Sequence, residues 1–154
     1  MPSEYLIVDD EPDLCWAFTH ILASAGLPSQ TALTAYAALD LMKDHRFQLA
    51  FLDLTLPDMN GIELARKLRL RDPSLRMVIV SGYLSAHAAA LDQILAEGLI
   101  CACITKPFLH EEILAMTRGV DSAAPEAARC GIISAQTGKV IPGMNSLTGA
   151  SRKV

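Results

Sequence analysis

Residues 49–61 read LAFLDLTLPDMNG, a short apolar run that ends on an aspartate and then enters a loop closed by glycine. Three other apolar runs of the chain also end on polar or charged residues: residues 6–8 before Asp9-Asp10, residues 77–80 before Ser81, and residues 100–104 before Thr105-Lys106-Pro107. Short continuous apolar runs separated by helix-like stretches are typical of buried strands in a parallel sheet. These four runs therefore predict an α/β fold.

The rest of the chain fits strict alternation of strands and helices. A weaker, mixed strand is predicted near 28–33, and helices near 12–25, 35–45, 60–71, 85–98 and after 107, with Thr34 and Ser85 as N-caps. Right-handed crossovers then place helices on both faces of a doubly wound five-stranded parallel sheet. The first and third strands are wholly apolar, so we expect them to lie side by side at its centre.

All carboxyl ends of a parallel sheet lie at one edge, and ligands bind in the crevice there. Asp9, Asp10, Asp53, Ser81 and Lys106 should therefore meet at one point. Taken singly, each has an ordinary explanation, as a helix cap, a turn residue or a solvated surface charge. Their joint appearance at four strand ends favours a functional site.

Three carboxylates at one edge repel one another by about 4 kcal/mol per pair at ~4 Å and an effective dielectric near 20. Lys106 supplies one positive charge, and a divalent ion would supply the two that remain. An all-oxygen site with open positions suits Mg²⁺. Asp53 stands alone before its loop, so it can act as a nucleophile that forms an aspartyl phosphate, with Ser81 and Lys106 contacting the phosphoryl oxygens.

Four motifs in register carry a resemblance to a known family. They are Val8-Asp9-Asp10-Glu11, Leu52-Asp53-Leu54-Thr55-Leu56-Pro57-Asp58-Met59-Asn60-Gly61, Val80-Ser81-Gly82 and Lys106-Pro107-Phe108. Over residues 4–118 the chain resembles a response-regulator receiver domain of the single-domain type, which belongs to two-component signalling. The resemblance implies a flavodoxin-like (βα)5 fold with strand order 2-1-3-4-5.

The resemblance also implies roles and partners. Asp53 would accept a phosphoryl group from a histidine kinase or a histidine phosphotransfer protein, and Ser81 and Lys106 would contact its oxygens. Mg²⁺ would be held by Asp9, Asp10, Asp53 and the backbone carbonyl of Thr55. Such a protein is not an enzyme acting on a separate substrate, although slow self-dephosphorylation is expected. Output would go to a downstream protein target, or through a homodimer, at the face made by the fourth helix, fifth strand and fifth helix.

The sequence departs from the family at one place that matters. Cys103 stands three residues before the lysine, where the family commonly has Tyr or Phe that turns inward on activation. This leaves open a receiver-fold scaffold that acts independently of phosphorylation. Thr55 and Tyr83 resemble positions that tune dephosphorylation by crowding the attacking water.

Two other classes fit less well. A haloacid-dehalogenase phosphatase would need a second aspartate two residues after the nucleophile, where Thr55 stands. A nucleotide-binding flavodoxin-like module would need a glycine-rich phosphate loop after the first strand, but Asp9-Asp10-Glu11-Pro12 repels an anion.

Composition bounds the remaining possibilities. The chain has 154 residues, 51% of them hydrophobic, and no apolar run approaches the ~20 residues that span a bilayer. The start of the chain lacks the positive flank of a signal peptide. Cys101 and Cys103, expected on the same face of one strand, suit neither a disulfide nor a metal site. We therefore expect a cytoplasmic protein without a membrane partner.

The two parts of the chain differ in charge and pattern. Residues 1–118 carry 9 Lys+Arg against 15 Asp+Glu, and residues 119–154 carry 4 against 2. No direct nucleic-acid binding is expected of the acidic part. Residues 119–154 lack sustained periodicity, which predicts a flexible C-terminal tail. The tail is too short for a DNA-binding effector domain, although the chain could be the N-terminal part of a longer DNA-binding regulator.

Overall fold

Strands and helices alternate from one end of the main domain to the other. The structure, a computed structural model, describes residues 4–121, 131–133 and 140–141, with side chains for residues 4–118. The elements are β1 Glu4–Val8, α1 Pro12–Ser24, β2 Ser29–Ala32, α2 Ala35–Leu41, β3 Phe47–Asp53, α3 Gly61–Arg71, β4 Arg76–Ser81, α4 Ala88–Ala96, β5 Ala102–Thr105 and α5 His110–Asp121.

These five strands are all parallel, in the order β2-β1-β3-β4-β5. The predicted order 2-1-3-4-5 is confirmed, with β1 paired to β3 at the centre of the fold. The order reverses between β1 and β3, which is the point where ligands bind in such sheets.

Both faces of the sheet are covered, which explains the continuous apolar runs. Along β1, Leu6 and Val8 belong to one hydrophobic core, and Tyr5 and Ile7 belong to the other. The first core packs under α2, α3 and α4, and the second packs under α1 and α5. Because both faces of such a strand are buried, its central residues are apolar and polar residues appear where the strand ends.

Two predicted helix boundaries are wrong. Ser85 does not cap α4, because Ser85–His87 forms a 3-10 turn without a side-chain cap, and α4 begins only at Ala88. Helix α2 ends at Leu41 rather than near residue 45. Its continuation tightens into a turn in which the N–H groups of Lys43 and Asp44 donate to carbonyls three residues back.

Beyond α5 the sheet continues with two short strands that were not predicted from the sequence. Strand β6, Gly131–Ile133, pairs parallel with β5, and β7, Val140–Ile141, pairs antiparallel with β6. Two or three apolar residues are too few to show a strand period, and pairing with a buried neighbour can hold so short a strand. Helix α5 also runs three residues past 118. The rest of the expected flexible tail over 119–154 lies outside the described residues.

The cysteines in and beside β5 correct a further expectation. Neither Cys101 nor Cys103 forms a disulfide with a described residue, but they lie in opposite cores, because β5 begins at Ala102 and strand alternation does not reach back to Cys101. Among the described helices none is long and apolar enough to cross a membrane.

Candidate functional site

Asp9 lies at the end of β1 and is almost completely buried, with 2% of its surface exposed. Its Oδ1 accepts a hydrogen bond from the Glu11 amide at 2.9 Å, and its Oδ2 accepts one from Lys106 Nζ at 2.9 Å. The Cys15 thiol donates to the Asp9 carbonyl at 3.3 Å, and burial raises the pKa of that thiol to about 11. Three hydrogen bonds thus fix the position of Asp9, whereas Asp10 beside it is exposed.

Asp53 ends β3 and faces the same point. One oxygen from each of Asp9, Asp10 and Asp53 lies within 4.8 Å of the others, so the predicted convergence of the three carboxylates is seen in the structure. Lys106 bridges two of them, because its Nζ lies 2.9 Å from Asp9 Oδ2 and 3.5 Å from Asp53 Oδ1.

The electrostatics of this cluster are unbalanced. Burial raises the pKa of Asp53, and the negative charge of Asp9 raises it further, against the opposing effects of Lys106 and a backbone hydrogen bond from Thr55. Burial pulls the pKa of Lys106 down, but its hydrogen bond to Asp9 and the surrounding carboxylates outweigh this and raise the pKa. Three negative charges against one positive leave a deficit of two, which matches the charge of a divalent cation, and every donor is a hard oxygen.

A cavity of about 420 Å³ opens over the cluster. Its lining residues are Asp10, Glu11, Asp53, Thr55, Ser81, Gly82, Tyr83 and Lys106. Ser81, 1% exposed, accepts a hydrogen bond from the Tyr83 amide at 3.0 Å through its Oγ, which leaves the hydroxyl proton available to a ligand. The predicted side chains are therefore brought together, and Asp9 joins the residues that line the cavity through its ion pair with Lys106. Thr55 also lines the cavity, and the role predicted for it is that of a metal ligand through its backbone carbonyl.

Gly61 lets α3 start directly against the end of β3. Its amide donates to the Leu54 carbonyl at 2.7 Å, and a Cβ at this position would collide with the carbonyl oxygen of Asp53. The Asn60 side chain caps α3 by accepting from the Glu63 amide at 2.8 Å. Asn60-Gly61 thereby fixes the loop that presents Asp53.

Asp58 has a structural role that was not predicted from the sequence. Its two carboxylate oxygens accept hydrogen bonds from the Ala35 and Tyr36 amides, each at 2.9 Å, at the start of α2. Some desolvation raises the pKa of Asp58, but these two N–H groups outweigh it and lower the pKa. Thr34 caps the same helix as predicted, through the Ala37 amide. No local signal could reveal Asp58, because its partners lie 22 and 23 residues away in the chain.

Cys103, at the position where the family commonly has an aromatic residue, is completely buried in the core under α4. Burial strongly raises the pKa of its thiol. A small side chain packed in this way cannot swing between a surface and a buried position as an exposed aromatic ring can.

Comparison with known proteins agrees with this geometry. The model of the response regulator receiver domain family matches residues 5–118. Alginate biosynthesis transcriptional regulatory protein AlgB of Pseudomonas syringae pv. tomato is 38% identical over 91 residues, which are 59% of this chain and 20% of AlgB. DNA-binding response regulator MtrA of Mycolicibacterium smegmatis is 33% identical over 119 residues, which are 77% of this chain and 50% of MtrA. The chain thus spans between a fifth and a half of the length of these relatives.

A solved structure shares the architecture. The CheY-like response regulator receiver domain protein of Methanospirillum hungatei superimposes with a TM-score of 0.70 at 29% sequence identity, covering 79% of this chain and 95% of that one. Three observations agree: the family model matches most of the described chain, the sheet has the flavodoxin-like strand order, and the carboxylate cluster lies where that order reverses. The chain belongs to the response regulator receiver domain family.

Proposed function

We propose that this chain is a phosphoacceptor of a two-component phosphorelay, in which Asp53 takes a phosphoryl group from a histidine kinase or a histidine phosphotransfer protein. The observation that carries the proposal is the cluster of three carboxylates within 4.8 Å, two of them bridged by Lys106, beside an open cavity. Such a cluster does not stabilise the fold, because repulsion between the carboxylates and their burial both destabilise the charged forms.

The transfer step is a displacement at phosphorus. A carboxylate oxygen of Asp53 forms a bond to phosphorus as the bond from phosphorus to the donor's imidazole nitrogen breaks. The bonding electron pair stays on that nitrogen, which leaves a neutral imidazole whose other nitrogen carries the proton. Asp53 suits the role of nucleophile because its carboxylate lies 3.5 Å from the Lys106 ammonium and is largely shielded from water.

We propose that Asp9, Asp10, Asp53 and the Thr55 backbone carbonyl hold Mg²⁺. The donor set supports this, since it is all oxygen and its charge deficit is that of a divalent ion. Bound there, Mg²⁺ would neutralise negative charge on the phosphoryl oxygens and on the carboxylates around them.

Lys106 and Ser81 would take the other phosphoryl oxygens. Lys106 Nζ lies 2.9 Å from Asp9 Oδ2 and 3.5 Å from Asp53 Oδ1. A short shift away from Asp9 would therefore bring it into contact with a phosphoryl group on Asp53. The Ser81 hydroxyl, which lines the same cavity, can donate to another oxygen while its own oxygen keeps the hydrogen bond from the Tyr83 amide. These are positioning and charge-neutralising roles, as phosphoryl transfer requires.

The cycle would end by hydrolysis rather than by catalysis on a separate substrate. Water would cleave the aspartyl phosphate to free phosphate and the Asp53 carboxylate, in a slow self-dephosphorylation. Thr55 and Tyr83 line the cavity and would limit the approach of that water. We place the protein in the cytoplasm, where such donors are found.

Output would run through a protein surface, with α4, β5 and α5 as the face for a downstream target or for a second copy in a homodimer. Strand β6 lies along the edge of β5, so such a contact would have to run over α4 and α5 rather than along a free β5 edge. The buried Cys103 also argues against an aromatic switch as the means of coupling.

Two alternatives have a specific observation behind them. AlgB and MtrA are a transcriptional regulatory protein and a DNA-binding response regulator in which this chain matches only part of the length, which supports a role within a longer DNA-binding regulator. Cys103 in place of an aromatic residue supports a scaffold that acts independently of phosphorylation. The scaffold would be recognised by phosphorylation that leaves partner affinity unchanged.

The test is intact-mass spectrometry after incubation with acetyl phosphate, with and without Mg²⁺. We expect a Mg²⁺-dependent gain of one phosphoryl group in the wild type and in Asp58→Asn, a matched carboxylate control in the same loop, but none in Asp53→Asn. No adduct on a folded wild-type protein, with fast hydrolysis excluded by beryllofluoride titration, would refute the proposal.

A further inference from the structure

The groove between α2 and α3 lies on the side of the domain away from α1 and α5, and the proposed function makes no use of it. It has a volume of about 700 Å³. Its lining residues are Tyr36, Ala37, Leu39, Asp40, Lys43, Lys67, Leu70 and Arg71. All of them belong to the two helices or, for Lys43, to the turn that follows α2.

Large apolar side chains stand out into solvent along this groove. Leu70, in the last turn of α3, is 85% exposed, and Tyr36, in the first turn of α2, is 62% exposed. Leu39 forms part of the floor and is buried. Single exposed apolar residues are ordinary, but two large ones on the walls of one concave surface mark a place where a partner can bury area.

The rim of the groove is cationic although the domain is acidic. Among the residues that line the groove, Lys43, Lys67 and Arg71 outnumber the one acid, Asp40, which is already paired with Lys43 at 3.0 Å. Arg71 also ties the helices together, since its Nη1 donates to the Leu39 carbonyl at 3.3 Å. The Lys67 side chain has no ion pair or hydrogen bond with any described residue. Residues 1–118 carry a net charge of −6, from 9 Lys+Arg against 15 Asp+Glu, so this positive rim is local.

We propose that the α2–α3 groove is a docking surface for an acidic amphipathic helix of a partner protein. A groove between two helices accepts a third helix whose apolar residues recur every three or four positions. Tyr36 and Leu70 would contact that apolar stripe, and carboxylates beside the stripe would meet Lys43, Lys67 and Arg71. The chain's own residues 119–154 fit poorly as the occupant, because they carry 4 Lys+Arg against 2 Asp+Glu.

The experiment uses the full chain and a fluorescently labelled synthetic peptide, about 16 residues long, with leucines at helical spacing and glutamates beside them. Its control peptide carries lysine at every glutamate position. Binding is measured by fluorescence anisotropy, and the site is located by amide shifts in ¹H–¹⁵N spectra. We expect the glutamate peptide to bind more tightly than the lysine peptide and to shift amides of α2 and α3.

Variants then assign the contact. Lys67→Glu and Leu70→Ser change exposed side chains, so both should fold, and each should weaken binding of the glutamate peptide by about tenfold, as loss of a charge pair or an apolar anchor does. Arg118→Glu makes the same charge change on exposed Arg118 in α5, and it should leave the affinity unchanged.

Several results would overturn the proposal. These are no binding of the glutamate peptide, equal binding of both peptides, or affinity unaffected by Lys67→Glu. A wild-type dimer in light scattering that Leu70→Ser abolishes would instead assign the groove to a second copy of this chain. The outcome does not depend on phosphorylation, so it is separable from the test on Asp53.

Discussion

Replacing Asp53 by asparagine should stabilise the fold in the absence of divalent ions. Asp53 lies within 4.8 Å of carboxylate oxygens of Asp9 and Asp10, and at an effective dielectric of 20 each pair repels by about 3.5 kcal/mol at that distance. Lys106 at 3.5 Å attracts Asp53 by about 4.7 kcal/mol on the same scale. The two repulsions together exceed the single attraction, and burial adds to the cost of the charge.

The expected gain is smaller than these Coulomb energies. Asp10 is exposed, so solvent screens its repulsion, and the asparagine oxygen still accepts a hydrogen bond from Lys106. We therefore expect Asp53→Asn to raise the free energy of unfolding by about 1–2 kcal/mol without metal. Added Mg²⁺ should stabilise the wild type more than the variant, because a ligand that binds only the folded state adds stability according to its affinity.

The assay is urea denaturation at pH 7.5 followed by far-UV circular dichroism, in EDTA and then in Mg²⁺. Asp40→Asn serves as the control, since Asp40 is an exposed helix residue whose replacement should change stability by less than about 0.5 kcal/mol. If Asp53→Asn were less stable than the wild type in EDTA while the control was unchanged, the Lys106 pair would outweigh the repulsion and our reasoning would be refuted.

Three further predictions concern the supports of the site. Gly61→Ala should lower the free energy of unfolding by about 1–3 kcal/mol in urea titrations and reduce phosphorylation, because the added Cβ would collide with the Asp53 carbonyl oxygen. An unchanged urea midpoint would contradict this. Asp58→Ala should lower the free energy of unfolding by about 1 kcal/mol in differential scanning calorimetry, whereas Asp58→Asn, whose amide oxygen can accept from only one of the two N–H groups, should lose less. Equal losses would contradict the hydrogen bonds to α2. Iodoacetamide should leave Cys103 unmodified in the native protein at pH 8 and modify it in urea, because the thiol is buried and its pKa is raised. Peptide mass mapping measures the modification, and rapid labelling of the native protein would contradict the packing.

Much of the fold was predictable because it rests on patterns that act locally. Continuous apolar runs identified strands buried on both faces, and the polar residue after each run identified the edge where Asp9, Asp53, Ser81 and Lys106 converge. The charge balance of the cluster also followed from residue types alone. Position at a strand end is a strong predictor, because the topology of a parallel sheet leaves little choice about where that residue lies.

The features that were missed depend on contacts distant in the chain or on very short elements. Asp58 caps a helix more than 20 residues earlier, which no window of sequence reveals. Strand β6 has three residues and depends on pairing with β5. Ser85 opens the 3-10 turn Ser85–His87, and no side-chain cap marks the start of α4 at Ala88. For Asp58 and β6, tertiary pairing decided the structure and local preference did not.

The central claim, that Asp53 carries the phosphoryl group, is tested most directly by locating the modified residue. The protein would be treated with acetyl phosphate and Mg²⁺, reduced with borohydride, which converts an aspartyl phosphate to homoserine, and digested for peptide sequencing by mass spectrometry. We predict homoserine at position 53 alone, and none when Mg²⁺ is omitted. Homoserine at position 9 or 10, or none in a protein shown to be folded and to bind Mg²⁺, would contradict the account.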